Sequence, residues 1–142
     1  MRRFRSWPLL TEQQSALGVA AFFGGAGIGH FVRPQFFEAV VPDWVPDKQL
    51  ANRVSGAAEI ALAVGMIPRA TRRPAAWGLL GLLAAVFPAN IDMALNDVDI
   101  RPTDDGDMER VVGGVTDARN WIRLPFQFVF AAWVWRHARS DR

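Results

Sequence analysis

Seven residues of this chain combine chemical capability with an apolar setting: His30, Ser55, Glu59, Asn90, Asp92, Arg123 and Gln127. An imidazole and a carboxyl can exchange a proton, a guanidinium can hold an oxygen anion, and hydroxyl and amide groups can orient a ligand. Glu59 carries most of the argument. It falls inside the apolar run 50–68, about nine residues from its start and so roughly 14 Å along a helix. An ionisable group that deep in hydrocarbon costs roughly 3 kcal/mol or more, so those retained are paired, turned toward other helices and often functional. Ser55 lies one turn earlier on the same helical face.

The elements that would position these groups are four apolar runs, 15–31, 50–68, 75–95 and 121–135. Each approaches the ~20 residues that cross ~30 Å of hydrocarbon. Basic residues cluster before, between and after them: Arg2, Arg3 and Arg5, then Arg69, Arg72 and Arg73, then Arg136, Arg139 and Arg142. The first and third connections hold most acids, namely Glu38, Asp43, Asp47, Asp97, Asp99, Asp104, Asp105, Asp107, Glu109 and Asp117. Because Lys and Arg stay on the cytoplasmic side, both termini are expected inside. Tryptophan gives a separate indication, since indole prefers the headgroup layer: Trp44 and Trp121 flank the expected outer ends, and Trp7, Trp77, Trp133 and Trp135 the inner ones. The expectation is an all-α, four-transmembrane-helix bundle with both termini cytoplasmic, occupying residues 1–142 as one domain.

In such a bundle alternate spans run in opposite directions, so all seven residues fall in the outer half. They are expected to line a polar cavity there, roofed by the apolar, proline-broken segment 36–44. The inner half offers no comparable set, and His137 is read as an inner-surface residue. The competing reading is a static network, with Arg123 neutralising Glu59 or Asp92, His30 capping a helix, and Asn90 and Gln127 tying helices together. Stripes of small residues, Ala21, Gly25 and Gly29, then Ala57, Ala61 and Gly65, then Gly78, Gly81 and Ala85, are expected to be seams between these helices, with a homo-oligomer contact as the alternative. Pro88 is expected to kink its helix, and Pro125 to sit in a first turn.

Composition limits the chemistry. The chain has 142 residues, 51% of them hydrophobic, and a formal net charge of +2 averaged over two opposed faces, so nucleic acid is not an expected partner. There is no cysteine, which removes thiol relays and thiolate metal sites. His30 and His137 stand about a bilayer apart and cannot share a metal or haem iron, so no intrinsic metal or cofactor is expected. The run D-D-G-D-M-E lacks EF-hand spacing because Arg101 and Thr103 stand before Gly106 where acids are needed, and connection 96–120 reads as a flexible acidic loop. The N-terminal basic-then-apolar pattern has the outline of a secretory signal, yet no small-residue cleavage pattern follows Gly29.

Four segments together resemble the DoxX-like family: G-I-G-H-F-V-R-P-Q-F-F-E-A-V-V-P-D-W-V-P from Gly27, S-G-A-A-E-I-A-L-A-V-G-M-I-P-R from Ser55, F-P-A-N-I-D-M-A from Phe87, and W-I-R-L-P-F-Q-F-V-F-A-A-W-V-W from Trp121. The likeness extends over 24–135, and the matching positions are His30, Pro34, Pro42, Pro46, Ser55, Gly56, Glu59, Pro88, Asn90, Arg123, Pro125 and Gln127. It implies a small four-helix protein of the bacterial plasma membrane. It implies no agreed activity: one named relative is a small subunit of a thiosulfate:quinone oxidoreductase, and others are described as uncharacterised or as partners in redox-stress complexes. The expected function is to hold a small amphipath, such as a quinone head group, beside a redox-enzyme partner that supplies the electrons. In that reading Arg123 and His30 contact ligand oxygens and Glu59 passes protons. A non-catalytic membrane scaffold is the alternative from another class, and a transporter using Arg123 as its anion contact is a third.

Overall fold

The structure, a computed structural model, describes residues 11–114 and 118–139. Arg2, Arg3, Arg5, Trp7, Asp117 and Arg142, which entered the topology argument, lie outside the described residues. The described chain is mainly helical: α1 Glu12–Val32, α2 Pro34–Val40, α3 Lys48–Met66, α4 Arg69–Leu95 and α5 Ala118–Ala138, with strands β1 Asp99–Pro102 and β2 Met108–Val111 between α4 and α5.

Local chemistry sets the boundaries. Thr11 and Gln14 form a reciprocal capping box at the start of α1, which satisfies two of the free N–H groups every helix start exposes. Asp47 caps α3 by accepting from the Leu50 N–H at 2.8 Å. Pro34 opens α2, where its missing N–H is harmless. At the α3–α4 turn the Thr71 hydroxyl donates to the Gly65 carbonyl at 2.7 Å. Arg72 donates to the Met66 and Ile67 carbonyls, both at 3.0 Å.

Two helices, α1 and α4, are long and apolar enough to cross a membrane, with mean hydropathies of 1.5 and 1.7 over their best windows. α3 and α5, expected as spans, have 19 and 21 residues but carry Lys48, Arg53 and Glu59, and Arg119, Arg123 and Arg136. Contacts define antiparallel neighbours around a closed circuit. His30 meets Asn52, Gly65 faces Ala75, Asn90 meets Gln127, and Ser15 meets His137. The core sits at the Ser15 end, where Ala16, Val19, Phe23, Met66, Leu79 and Val134 pack together.

The small-residue seams fall only partly where expected: Gly65 faces Ala75 and Gly78 faces Leu62 across the α3–α4 contact, while other members do not meet a neighbour. Gly25 and Gly81 have no neighbour within 4 Å of a would-be Cβ, and Ala21, Ala57 and Ala61 are exposed. The close approach lies one face over, between Gly27 and Gly56. A Cβ on Gly27 would stand 2.9 Å from the Gly56 carbonyl oxygen, and one on Gly56 2.6 Å from the His30 Cβ. That contact brings α1 near enough to α3 for His30 to reach across.

Of the two proline expectations, the one for Pro125 is corrected. α4 runs through Pro88 without a break. Gln127 Nε2 donates to the Leu83 carbonyl at 2.5 Å, tying α5 to α4 one turn before Pro88. α5 starts at Ala118, so Pro125 is an internal residue rather than a first-turn one.

The connection read as a flexible acidic loop contains an antiparallel hairpin pairing Asp99 with Val111 through Pro102 with Met108. Its turn closes because Gly106 takes φ +81, where only glycine is unstrained, and because the Thr103 Oγ1 accepts from the Asp107 N–H at 3.1 Å. The hairpin is tied to the helices by Arg110. Its guanidinium donates to the Ala39 and Val40 carbonyls at the end of α2 and forms an ion pair with Asp92 of α4.

Candidate functional site

His30 ends the apolar length of α1, and the Gly27–Gly56 contact sets it against α3. Asn52 Nδ2 donates to the His30 carbonyl oxygen at 3.0 Å, so its Oδ1 must be the atom 2.6 Å from His30 Nδ1. An amide oxygen only accepts, so Nδ1 carries the hydrogen and Nε2 is the free position. Nε2 faces Glu59 Oε2 at 3.5 Å, with the two side chains 13% and 16% exposed. That carboxyl oxygen is sealed from solvent and has no hydrogen-bond partner. The pair therefore has room for one shared proton, carried by the carboxyl or by the imidazole.

The pair lies in the wall of a cavity of about 270 Å³ between α1, α3 and α4. Ser55, Asn52 and Asn90 supply its other polar atoms, and Ala85, Val86 and Ala89 form the α4 wall. Phe37, Val40, Val41, Pro42 and Trp44 cover it, as expected of segment 36–44. Phe37 stacks on the His30 ring with centroids 4.0 Å apart. On the far side of His30 and Asn52 lies a polar basin of about 490 Å³, lined by Gln35, Glu38, Gln49, Arg53 and Asp107. His30 borders both spaces.

Four of the seven expected residues, His30, Ser55, Glu59 and Asn90, thus line one cavity. The other three do not. Gln127 is a buried tie behind Asn90, accepting from its Nδ2 at 2.6 Å. Asp92 is held by Arg110 and accepts from Asn96 at 2.8 Å. Arg123 is exposed and directs Nη1 to the Met93 sulfur at 3.5 Å, so it neutralises neither Glu59 nor Asp92 and offers no anion contact in the cavity.

Two residues that matter here escaped the sequence reading. Asn52 was legible in principle, since Asn52, Ser55 and Glu59 follow the i, i+3, i+7 spacing of one helix face. Arg110 had no local signal, standing alone in an acidic stretch whose fold was not foreseen. Outside the cavity, Arg101 donates to Asp99 at 2.8 Å and holds that carboxyl below its ordinary range. Lys48 does the same for Asp43 at 2.5 Å.

The opposite end also holds a polar cluster, contrary to expectation. Trp133 Nε1 donates to the Ser15 hydroxyl at 2.9 Å, and that hydroxyl lies 3.0 Å from His137 Nε2. His137 is no surface residue: it is 0% exposed, and Ser15 is 1% exposed. Sealed this way, the pair can lock α1 to α5 but cannot meet a substrate. Arg72 beside it reaches Gln13 at 2.5 Å.

A family model described as "Domain of unknown function (DUF8561)" matches residues 19–138. The chain belongs to this family. The matched region takes in every residue of the cavity, the hairpin and the Arg110 clamp. No curated protein and no solved structure matches the chain.

Proposed function

We propose that this member of the DUF8561 family is a multi-pass membrane protein that holds a small amphipathic ligand in the cavity beside His30 and Glu59. In this reading all four long helices span a bacterial plasma membrane as a DoxX-like bundle, with both termini cytoplasmic. Two features support it. Only 17% of the apolar window of α4 is buried, which a water-soluble core helix would not tolerate. Large apolar side chains also stand outward on the other long helices, among them Phe22, Val64, Phe126 and Phe128.

The observation that carries the ligand reading is the His30–Glu59 pair, 3.5 Å apart with side chains 13% and 16% exposed, in the wall of a space of about 270 Å³. A few converging polar groups in a mainly apolar cavity are a place for a ligand's polar atom. An apolar cavity of about 150 Å³ already admits benzene, so this one has room for a single substituted ring. A quinone head group fits that description: the one proton shared by His30 and Glu59 would be donated to a ring carbonyl oxygen while the cover of Phe37 and Trp44 keeps water out. The electrons would come from a redox-enzyme partner, and this chain's residues would orient the ring and hold the proton.

The competing scaffold reading draws on the Asn90–Gln127–Leu83 and His30–Asn52 ties, which hold helices together without a ligand. Native purification in mild detergent, followed by mass spectrometry of bound small molecules, separates the two. Ligand retained by the wild type and lost from Glu59→Gln supports the site. Equal small-molecule content in both, with loss of a bound protein, favours the scaffold.

A further inference from the structure

The geometry points to a second ligand class for this cavity: an organic monocation with a single-ring apolar body, bound in exchange for the proton that His30 and Glu59 share. This rests on the cavity being a ligand site, but it goes beyond a neutral ring.

The charges around the cavity argue for it. No Lys or Arg is among its lining residues. Several cations at this end of the molecule are engaged elsewhere, Arg110 with Asp92 and Asp43, Lys48 with Asp43, Arg101 and Arg119 with Asp99, and Arg123 at the Met93 sulfur, while Arg33 is exposed and outside the lining. Arg53 faces the polar basin on the other side of His30. The titratable groups facing the space are therefore His30 from α1 and Glu59 from α3, while α2 contributes Phe37 and α4 contributes Asn90. A lone carboxyl in apolar surroundings stays neutral by keeping a proton or ionises beside a cation. His30 can serve as that cation, and so can a guest.

The walls suit such a guest. Phe37 presents a ring beside His30, and Trp44 stands at the rim. Aromatic faces attract quaternary ammonium groups through their quadrupole, and the alanine and valine walls accept an apolar body. The proton balance is simple. A pair that holds one proton is neutral; entry of a monocation expels that proton to water and leaves neutral His30, ionised Glu59 and the guest's positive charge, again neutral overall. An anion would need a second proton on the pair to make His30 its counter-charge, so it is disfavoured at neutral pH.

The test uses the full chain in detergent micelles with benzyltrimethylammonium as the cation, phenylacetate as the anion and 2,3-dimethoxy-5-methyl-1,4-benzoquinone as the neutral ring. Calorimetric titrations in two buffers of different ionisation enthalpy count protons released. The expected result is about one proton released per cation bound, with affinity rising about tenfold per pH unit while the pair remains protonated. Phenylacetate should not bind. Glu59→Asp should keep proton-coupled binding, and Glu59→Gln should lose the cation at least tenfold while still melting cooperatively. Cation binding without proton release, or equal affinity at all pH values, overturns the inference using the wild type alone. Binding of the quinone without the cation also overturns it and leaves the proposed function standing. Failure of both probes removes the ligand site itself.

Discussion

Replacing Gly56 with alanine should damage the site from a distance that can be computed. The new methyl carbon would stand 2.6 Å from the His30 Cβ, 3.0 Å from the Phe31 ring and 3.1 Å from the Gly27 carbonyl oxygen. Two of these neighbours are backbone or the first side-chain carbon, so neither can swing away, and the helices must separate. Overpacking of this kind costs about 1–3 kcal/mol. Alanine also favours helix over glycine by about 1 kcal/mol, which would blur a single measurement. Gly25→Ala supplies the control, because its methyl would meet nothing within 4 Å and gains the helix preference alone. The difference between the two variants, measured as unfolding free energy by denaturant titration in micelles, is expected to be about 1–3 kcal/mol against Gly56→Ala. The quinone probe should bind Gly56→Ala more weakly, because His30 and Glu59 move apart. Equal stability of the two alanine variants, with unchanged binding, would refute the argument that the Gly27–Gly56 approach builds the site.

Arg110→Ala should release the hairpin and the end of α2 together, costing about 2 kcal/mol because Asp92 is left without its partner in a half-buried position; Asp92→Asn in the same chain should recover part of that loss, seen as non-additive unfolding energies. Arg72→Lys should destabilise the chain by about 2 kcal/mol, because one ammonium cannot replace a guanidinium that reaches Met66, Ile67 and Gln13 at once; a melting temperature equal to wild type would contradict this. Acid should loosen the hairpin and the start of α3 first. Asp99 and Asp43 are held below their ordinary value of 3.8 in the folded chain, so their contribution is present above about pH 4 and is lost as the pH falls through the lower folded values. Amide protection in 99–111, corrected for intrinsic exchange, should fall below that pH and stay level between about pH 5 and 8.

Much of the helical frame was legible because apolar runs of membrane length admit few other structures. The four runs correspond to α1, α3, α4 and α5 with ends shifted by up to six residues. His30, Ser55, Glu59 and Asn90 were legible for the same reason: polar atoms in apolar runs must find one another. Arg123 and Asp92 misled because charge alone does not say which way a helix end turns, and Arg110, arriving from the hairpin, took the place expected of Arg123. The α1 seam was misplaced because small residues occupy several faces of α1, and only the approach of Gly56 distinguishes the Gly27 face from the Gly25 face. The Ser15–His137 lock was hidden by its two members lying 122 positions apart and by reading the chain ends as surface.

Photoaffinity mapping shows whether the proposed ligand sits between α1, α3 and α4 under the cover of α2. A single-ring quinone carrying a diazirine, irradiated with the full chain in native membrane fragments, should label peptides 37–45 and 85–90 and should be displaced by excess unlabelled quinone. Labelling confined to the outward apolar faces of α5 around Phe126 and Phe128, undiminished by competitor, would contradict the account.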